Sequence, residues 1–253
     1  MIDFDRYQLD NGLRVIIHSD TSSPMVAVNV VYDVGSRDEG NEMTGFAHLF
    51  EHLMFGGSEN VPDFDTPIQN AGGENNAFTN TDMTNFYDVL PAENLETALW
   101  LESDRMRSLV FSQSALDIQK KVVIEEFKET CLTEPYGDVW HHLSDLVYQD
   151  HSYRWPTIGK DLSHIEQARL SDVQSFFQKH YTPTNAILVL SGNIDKSSIK
   201  PIISKWFDDI PKGNKYQRKL PCERRQETFR SKTVCGNVPF PAVYLSFHMV
   251  DRK

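Results

Sequence analysis

Short apolar segments bounded by turn-forming residues alternate with longer helical segments along this chain, and this alternation limits the folds that it can adopt. The pair Asn11-Gly12 is typical of a tight hairpin turn, because both residues tolerate positive φ. Met25–Val34 is rich in valine and is bounded by Gly35, which is typical of a central strand. The predicted strands are 4–9, 13–18, 25–34, 75–79, 85–90 and 186–191.

Helical spacing dominates the stretches between these strands. Pro91 and Ser171 stand at positions that favour a helix start, and Asp195 is expected to cap the last helix. The predicted helices are 41–55, 66–70, 92–109, 114–132, 137–148, 171–180 and 195–207. Strands interleaved with long helices predict an α+β fold, with a mixed, largely antiparallel sheet packed against several long helices.

The domain organisation is inferred from a change in composition near residue 212. Residues 1–211 are expected to form one α+β domain. Residues 212–227 are polar, basic and contain proline, which predicts a linker whose basic pairs, Arg218-Lys219 and Arg224-Arg225, are solvated. Residues 228–234 and 243–249 alternate like strands. We therefore expect 228–253 to be the opening strands of a second, incomplete domain.

Composition and charge exclude several classes of function. The 253 residues carry 36 acidic and 25 basic side chains, a formal net charge of −11 that argues against nucleic acid as a partner. The densest apolar stretch, Ala186–Leu190, is far shorter than a membrane span, so no membrane association is expected. The three cysteines are widely spaced, and Met1–Asp5 does not resemble a signal peptide. These features predict a cytoplasmic protein, or a periplasmic one if a signal peptide has been removed.

The most informative segment for chemistry is His48-Leu49-Phe50-Glu51-His52. Residues four apart lie on the same face of a helix, so both imidazoles can reach one cation at roughly 2.0–2.1 Å, the usual Zn–N distance. Glu51 stands beside that face, where it can contact a water molecule without binding the metal. The pattern is the inverted zinc-protease motif. The alternative is a half-buried helix that carries two histidines and a solvated glutamate.

Catalytic zinc usually takes three protein ligands, which makes the histidine pair an incomplete site. The best third candidate is Glu126, which shares a helical face with Val122 and Val123 and is therefore expected to point inwards. Glu129 lies on the rim of the same face and is the fallback. Taken alone, Glu126 is better explained as a salt-bridged residue of an acidic helix. Beside the two histidines, the ligand interpretation is preferred.

Several segments together resemble the pitrilysin/insulinase family of zinc metallopeptidases, especially its mitochondrial-processing-peptidase-like bacterial branch. The resemblance extends over about residues 4–210, and Glu126 follows His52 by 74 residues in the Val-Val-x-x-Glu context of the family's third ligand. The segments that carry it are Asn11–Val15, Val34–Glu39, Thr44–Phe55, Gly72–Thr79, Thr84–Tyr87 and Val122–Glu126.

The resemblance implies a zinc endopeptidase that acts on peptides or unfolded segments. Residues 1–211 would be its catalytic, zinc-binding domain, and 228–253 would begin a second, homologous domain. It makes His48, His52 and Glu126 the ligands of one zinc ion per chain and Glu51 the general base for the attacking water. It also implies that an edge strand binds the peptide substrate as an added strand. The residues implied in that contact are Asn76, Ala77, Phe78 and Thr79.

Two departures from the family pattern limit the prediction. Gln119 occupies a position where many members carry a glutamate. The hydrogen bonding that orients the metal ligands is therefore altered. Family members generally have two homologous domains whose halves enclose a chamber, so a second half or partner subunit, in a homo- or heterodimer, is expected. The alternative is a non-catalytic or fragmentary subunit of a processing-peptidase-like assembly that needs a partner half for activity. The intact motif favours the enzyme.

Overall fold

A computed structural model describes residues 2–249 of the chain. Within that range the strands are β1 (Asp5–Gln8), β2 (Arg14–Ser19), β3 (Met25–Tyr32), β4 (Glu74–Thr79), β5 (Thr84–Pro91) and β6 (Ala186–Gly192). The α-helices are α1 (Phe46–Met54), α2 (Asp65–Asn70), α3 (Leu95–Arg107), α4 (Gln113–Phe127), α5 (Val139–Val147), α6 (Leu162–Glu166), α7 (Leu170–His180) and α8 (Ile199–Phe207).

All six strands form one sheet in the order β1-β2-β6-β3-β5-β4. Only the pair β2–β6 is parallel among the described strands, with Val15 opposite Leu188, and the other neighbours are antiparallel. The predicted α+β class and the mixed, largely antiparallel sheet are therefore confirmed. Because β4 pairs only with β5 in the described residues, it forms one edge of the sheet.

Helices α1, α2 and α3 contact the sheet at strands β3, β4 and β5. Along β3, Val26, Val28 and Val30 are buried, whereas the alternate residues Ala27 and Asn29 are half-buried. This period of two follows from the pleat and fixes which face meets the helices. Burying each such valine stabilises the fold by roughly 1.5–3 kcal/mol.

Helix α1 begins at Phe46, five residues later than the helical spacing predicts. Gly45 has φ of +87°, and a Cβ atom there would lie 2.8 Å from the backbone oxygen of Ile158. This left-handed turn ends the preceding loop and sets the direction of the helix. The apolar face of α1 then packs on α7, and the Phe50 ring stacks on Tyr181, just beyond α7, with centroids 4.7 Å apart.

Other helix boundaries also differ from the predictions. The long segment predicted at 114–132 is an α-helix only to Phe127 and continues as a π-helical turn, Lys128–Thr133. Asp195 does not cap the last α-helix directly. It accepts hydrogen bonds from the backbone N–H and the hydroxyl of Ser197, and α8 begins four residues after it. Short polar side chains favour such turns as strongly as helix starts.

The segment after α8 differs most from the predictions. Residues 228–249 contain no strand, because within the described chain no other strand lies beside them to form a ladder. The linker's basic residues are not simply solvated. The Arg218 guanidinium donates to Asp33 and Asp38, and Arg224 bonds to Asp150. The division of the chain at 212–227 stays a prediction.

Candidate metal centre

Helix α1 presents His48, Glu51 and His52 close to the edge strand β4. Phe46, Leu49 and Phe50 on its other side are fully or almost fully buried. The His48 and His52 side chains remain 14% and 25% exposed, and their rings meet edge to face with centroids 4.9 Å apart. The one-turn spacing therefore places both imidazoles on one accessible side of the helix, as predicted.

Glu126 completes a cluster with the two histidines. It lies on α4, whose first turn is capped by the Ser112 hydroxyl and which packs against α1. Glu126 Oε2 lies 3.3 Å from His52 Nε2 and 3.6 Å from His48 Nε2. We call these three residues the His–His–Glu cluster; one ligand atom from each lies within 4.8 Å of the others.

The spacing of the His–His–Glu cluster fits a zinc ion. Two ligand atoms at about 2.0–2.1 Å from a tetrahedral centre lie about 3.3–3.4 Å apart, close to the two observed distances between nitrogen and oxygen. Two imidazole nitrogens and one carboxylate oxygen are also the ligand types of catalytic zinc sites that keep a fourth position open. The Glu126 side chain is 39% exposed, so solvent reaches the cluster.

Protonation favours metal binding in the same cluster. Burial lowers the pKa of His48, which favours its neutral, ligating form. The hydrogen bond with His52 lowers the pKa of Glu126 and keeps this carboxylate ionised, against the opposing effect of partial burial. Metal ligands must be deprotonated, so both shifts support coordination near neutral pH.

Glu51 lies beside the cluster and is held by the edge strand. Its Oε2 accepts a hydrogen bond of 2.5 Å from the Thr79 hydroxyl at the end of β4. Burial raises the pKa of Glu51, while the bond from Thr79 opposes the rise. A carboxylate with a raised pKa next to a metal-binding cluster is the arrangement that a general base requires.

The predicted substrate residues lie on this same edge strand. Asn76 and Phe78 are exposed, whereas Ala77 and Thr79 are half-buried, which is the alternation of a strand with one open side. Phe78 presents 45% of its surface to solvent. The structure thus places all four residues on a strand that contacts α1, and their contact with a peptide stays a prediction.

The remaining site candidates lie on α4 and just beyond it. Gln119 is half-buried and shares the face of Glu126, but within residues 2–249 no hydrogen bond joins its side chain to the His–His–Glu cluster. Glu129 is exposed and lies in the π-helical turn that follows α4. Val122 was expected to point inwards on the same face as Glu126. That expectation is wrong, because Val122 is 44% exposed.

Sequence reasoning missed the residue that holds the start of α1. Glu39 is 7% exposed and accepts hydrogen bonds from the backbone N–H groups of Gly45 and Ala47. It appeared in the sequence only as part of the segment Val34–Glu39. No local pattern marks it, because its partners are set by the turn at Gly45 and by the indole of Trp155.

Comparison with known proteins points to one family. The model of the insulinase family, peptidase family M16, matches residues 14–161, and that of the peptidase M16 inactive domain matches residues 168–253. The zinc protease PqqE of Helicobacter pylori is 30% identical over 205 residues, which cover 80% of this chain and 46% of that protein. The mitochondrial-processing peptidase subunit beta of Saccharomyces cerevisiae is 27% identical over 208 residues, 81% of this chain and 44% of that protein.

Solved structures show the same similarity. A protease from Helicobacter pylori superposes with a TM-score of 0.84 at 28% identity, over 91% of this chain and 56% of that one. The periplasmic protease PqqL from Escherichia coli shares the fold with a TM-score of 0.79 at 21% identity, over 87% of this chain and 25% of that one. The chain spans about half the length of the curated relatives that it matches. Because the first family model matches more than half of its residues, the chain belongs to the insulinase family of peptidases, family M16.

Proposed function

We propose that this chain is the zinc-binding, catalytic half of an endopeptidase that hydrolyses peptides or unfolded segments. The observation that carries the proposal is the His–His–Glu cluster with Glu51 beside it. His52 Nε2 lies 3.3 Å from Glu126 Oε2, and Glu51 precedes His52 in the same helix. The names of relatives such as the zinc protease PqqE support zinc as the metal.

In this proposal His48, His52 and Glu126 hold one zinc ion. When bound, zinc would act as a Lewis acid and lower the pKa of a coordinated water towards about 7. Glu51 accepts the proton of the attacking water, because its raised pKa brings its proton affinity closer to neutral pH. Thr79 holds the carboxylate of Glu51 in one orientation.

The substrate is proposed to bind as an added strand along β4. An edge strand offers unpaired backbone N–H and C=O groups, and an extended peptide can pair with them. Asn76, Ala77, Phe78 and Thr79 would supply these contacts, and the exposed Phe78 ring would meet an apolar side chain. Backbone pairing selects an extended chain more than a particular sequence.

A second half or partner subunit completes the enzyme in this proposal. The curated relatives are about twice as long as the matched region, and one is a subunit of the mitochondrial-processing peptidase. Residues 1–211 then form the catalytic half, and 212–227 link it to a domain that begins in 228–253. Within residues 2–249 no helix is both long enough and apolar enough to cross a bilayer. The cytoplasmic location stays a prediction.

The test is Glu51→Gln in the full protein, measured by hydrolysis of an unfolded polypeptide and by zinc content. We expect hydrolysis to fall by about 10²–10⁴-fold, because the proton acceptor is lost, while zinc content stays at that of the wild type. Glu125→Gln is the matched control, since Glu125 is exposed and pairs with Lys128 at 2.7 Å, away from the cluster. Wild-type hydrolysis by Glu51→Gln would eliminate Glu51 as the base.

A further inference from the structure

The start of the helix that carries the metal-binding histidines lacks a cap of its own. The residue before α1 is Gly45, which has no side chain to accept hydrogen bonds from the first turn. Orphan N–H groups at a helix start need acceptors, especially where the helix is buried. Gly45 and Ala47 supply two such N–H groups, and Ala47 immediately precedes His48.

Glu39 provides the missing acceptors from outside the helix. Its Oε2 accepts from the Gly45 N–H at 2.9 Å, and its Oε1 accepts from the Ala47 N–H at 2.8 Å. One carboxylate therefore binds two points of the first turn, which restricts both the rotation and the axial position of that turn. A negative charge at a helix N-terminus is also favourable, because the macrodipole is positive there.

Glu39 is itself fixed by a residue far away in the sequence. The Trp155 indole N–H donates to Glu39 Oε2 and to the Ser36 backbone oxygen, each at 3.1 Å. Burial raises the pKa of Glu39, and the three hydrogen bonds oppose that rise. All three partners are donors, so the geometry accommodates the ionised carboxylate. A buried carboxylate is tolerated only when it is bonded in this way.

We infer that Glu39 is a positioning residue for the metal site: it fixes the first turn of α1 so that His48 meets Glu126 at the zinc position. The inference rests on the proposed function, since it concerns how the chain prepares that site. The backbone bond at Ala47 is the link, because the residue that follows it is His48. Trp155 acts on the same turn through Glu39.

The experiment compares zinc affinity at a temperature where every variant is fully folded. Zinc is added to the metal-free full chain in competition with a chromophoric chelator, and folding is checked by circular dichroism. Glu39→Gln keeps the shape of the side chain but directs an amide N–H₂ group at one of its donors. We expect its zinc affinity to fall by about 10–100-fold, which is the usual effect of losing a group that orients metal ligands without binding the metal.

Two further variants separate positioning from stability. Ile203→Ala in α8 removes a fully buried side chain outside the metal site, so it should lower the melting temperature and leave zinc affinity unchanged. Trp155→Phe removes one donor to Glu39 and should weaken zinc binding by less than Glu39→Gln does. It also serves as the test if Glu39→Gln does not fold.

The possible failures are distinct. If the wild type binds zinc and Glu39→Gln binds it equally tightly, positioning by Glu39 is wrong and the proposed function stands. If Glu39→Gln does not fold, wild-type zinc affinity in Trp155→Phe would likewise show that positioning by Glu39 is wrong. If the wild type binds no zinc, both proposals are wrong.

Discussion

The Thr79 hydroxyl donates a hydrogen bond to the Glu51 carboxylate, which joins the edge strand β4 to helix α1 across 28 positions of sequence. The predicted peptide-binding strand and the proposed base are therefore in direct contact. A peptide that pairs with β4 would lie beside the carboxylate that is proposed to activate the attacking water. Thr79 is thus proposed to take part in peptide binding and, through Glu51, in proton transfer.

Thr79→Val should reduce peptide hydrolysis with little change in zinc content. Valine keeps the shape of threonine and removes only the hydroxyl, so the Glu51 carboxylate loses the partner that orients it. A hydrogen bond to a charged group contributes roughly 1.5–3 kcal/mol, which corresponds to about 10–150-fold in kcat. Thr79→Ser restores the hydroxyl and should recover most of the rate. A Thr79→Val enzyme with full kcat would mean that this bond does not support Glu51.

Glu126→Gln should lose zinc, whereas Glu129→Gln should not. The amide oxygen that replaces the Glu126 carboxylate would be a neutral and weaker ligand. We therefore expect zinc affinity to fall by more than about 100-fold. This loss is larger than the loss caused by removing a group that only orients a ligand. Glu129 is exposed and lies outside the His–His–Glu cluster. Chelator competition measures both variants. If Glu129→Gln lost zinc affinity and Glu126→Gln kept it, Glu129 would be the third ligand.

His180 should reduce the stability of the fold at acid pH. It is fully buried, neither ring nitrogen has a hydrogen-bond partner in the described residues, and burial lowers its pKa to about 3. Between pH 6.5 and 3 the unfolded chain binds a proton that the folded chain does not. This histidine therefore decreases the free energy of unfolding by about 1.4 kcal/mol for each unit that the pH falls in that window.

His180→Leu removes this titration and keeps a side chain of similar volume. Urea unfolding between pH 7 and 5 should show a shallower loss of stability for the variant than for the wild type. The destabilisation caused by this group is absent above about pH 6.5 and grows as the pH falls. If stability fell equally with pH in the variant and the wild type, His180 would take up its proton at the same pH in the folded and the unfolded chain.

Arg105 should contribute strongly to stability through a buried charge network. It is 1% exposed, binds Glu102 with two guanidinium nitrogens, and stacks on Phe64 and Phe86 with 4.2 Å to each ring centroid. Arg105→Ala leaves Glu102 buried without its counter-ion, so we expect a loss of about 3–5 kcal/mol.

Arg107→Ala is the control for this prediction, because Arg107 is exposed at the end of the same helix. Its effect should stay within about 0.5 kcal/mol. Thermal or urea unfolding measures both variants. Equal effects would show that the network around Arg105 adds nothing beyond helix propensity.

Local patterns predicted much of the fold because each depends on a short stretch of backbone. The hairpin at Asn11-Gly12 follows from residues that tolerate positive φ, and β1 and β2 pair around it as expected. The helix boundaries were less accurate, since α1 starts only after the turn that Gly45 makes against Ile158. The strands expected in 228–249 require neighbouring strands, and alternation alone does not supply them.

The sequence alone determined that His48 and His52 share one face of a helix with Glu51 beside them, because the α-helical repeat fixes residues one turn apart. It also predicted that Glu126 would join them, through its face on a second helix and a family resemblance. Only the tertiary structure decided how these groups meet. The packing of α1 on α4 sets the 3.3 Å separation of His52 and Glu126, and the edge position of β4 brings Thr79 to Glu51. Such contacts depend on how apolar faces pack across long sequence separations, which no local spacing encodes.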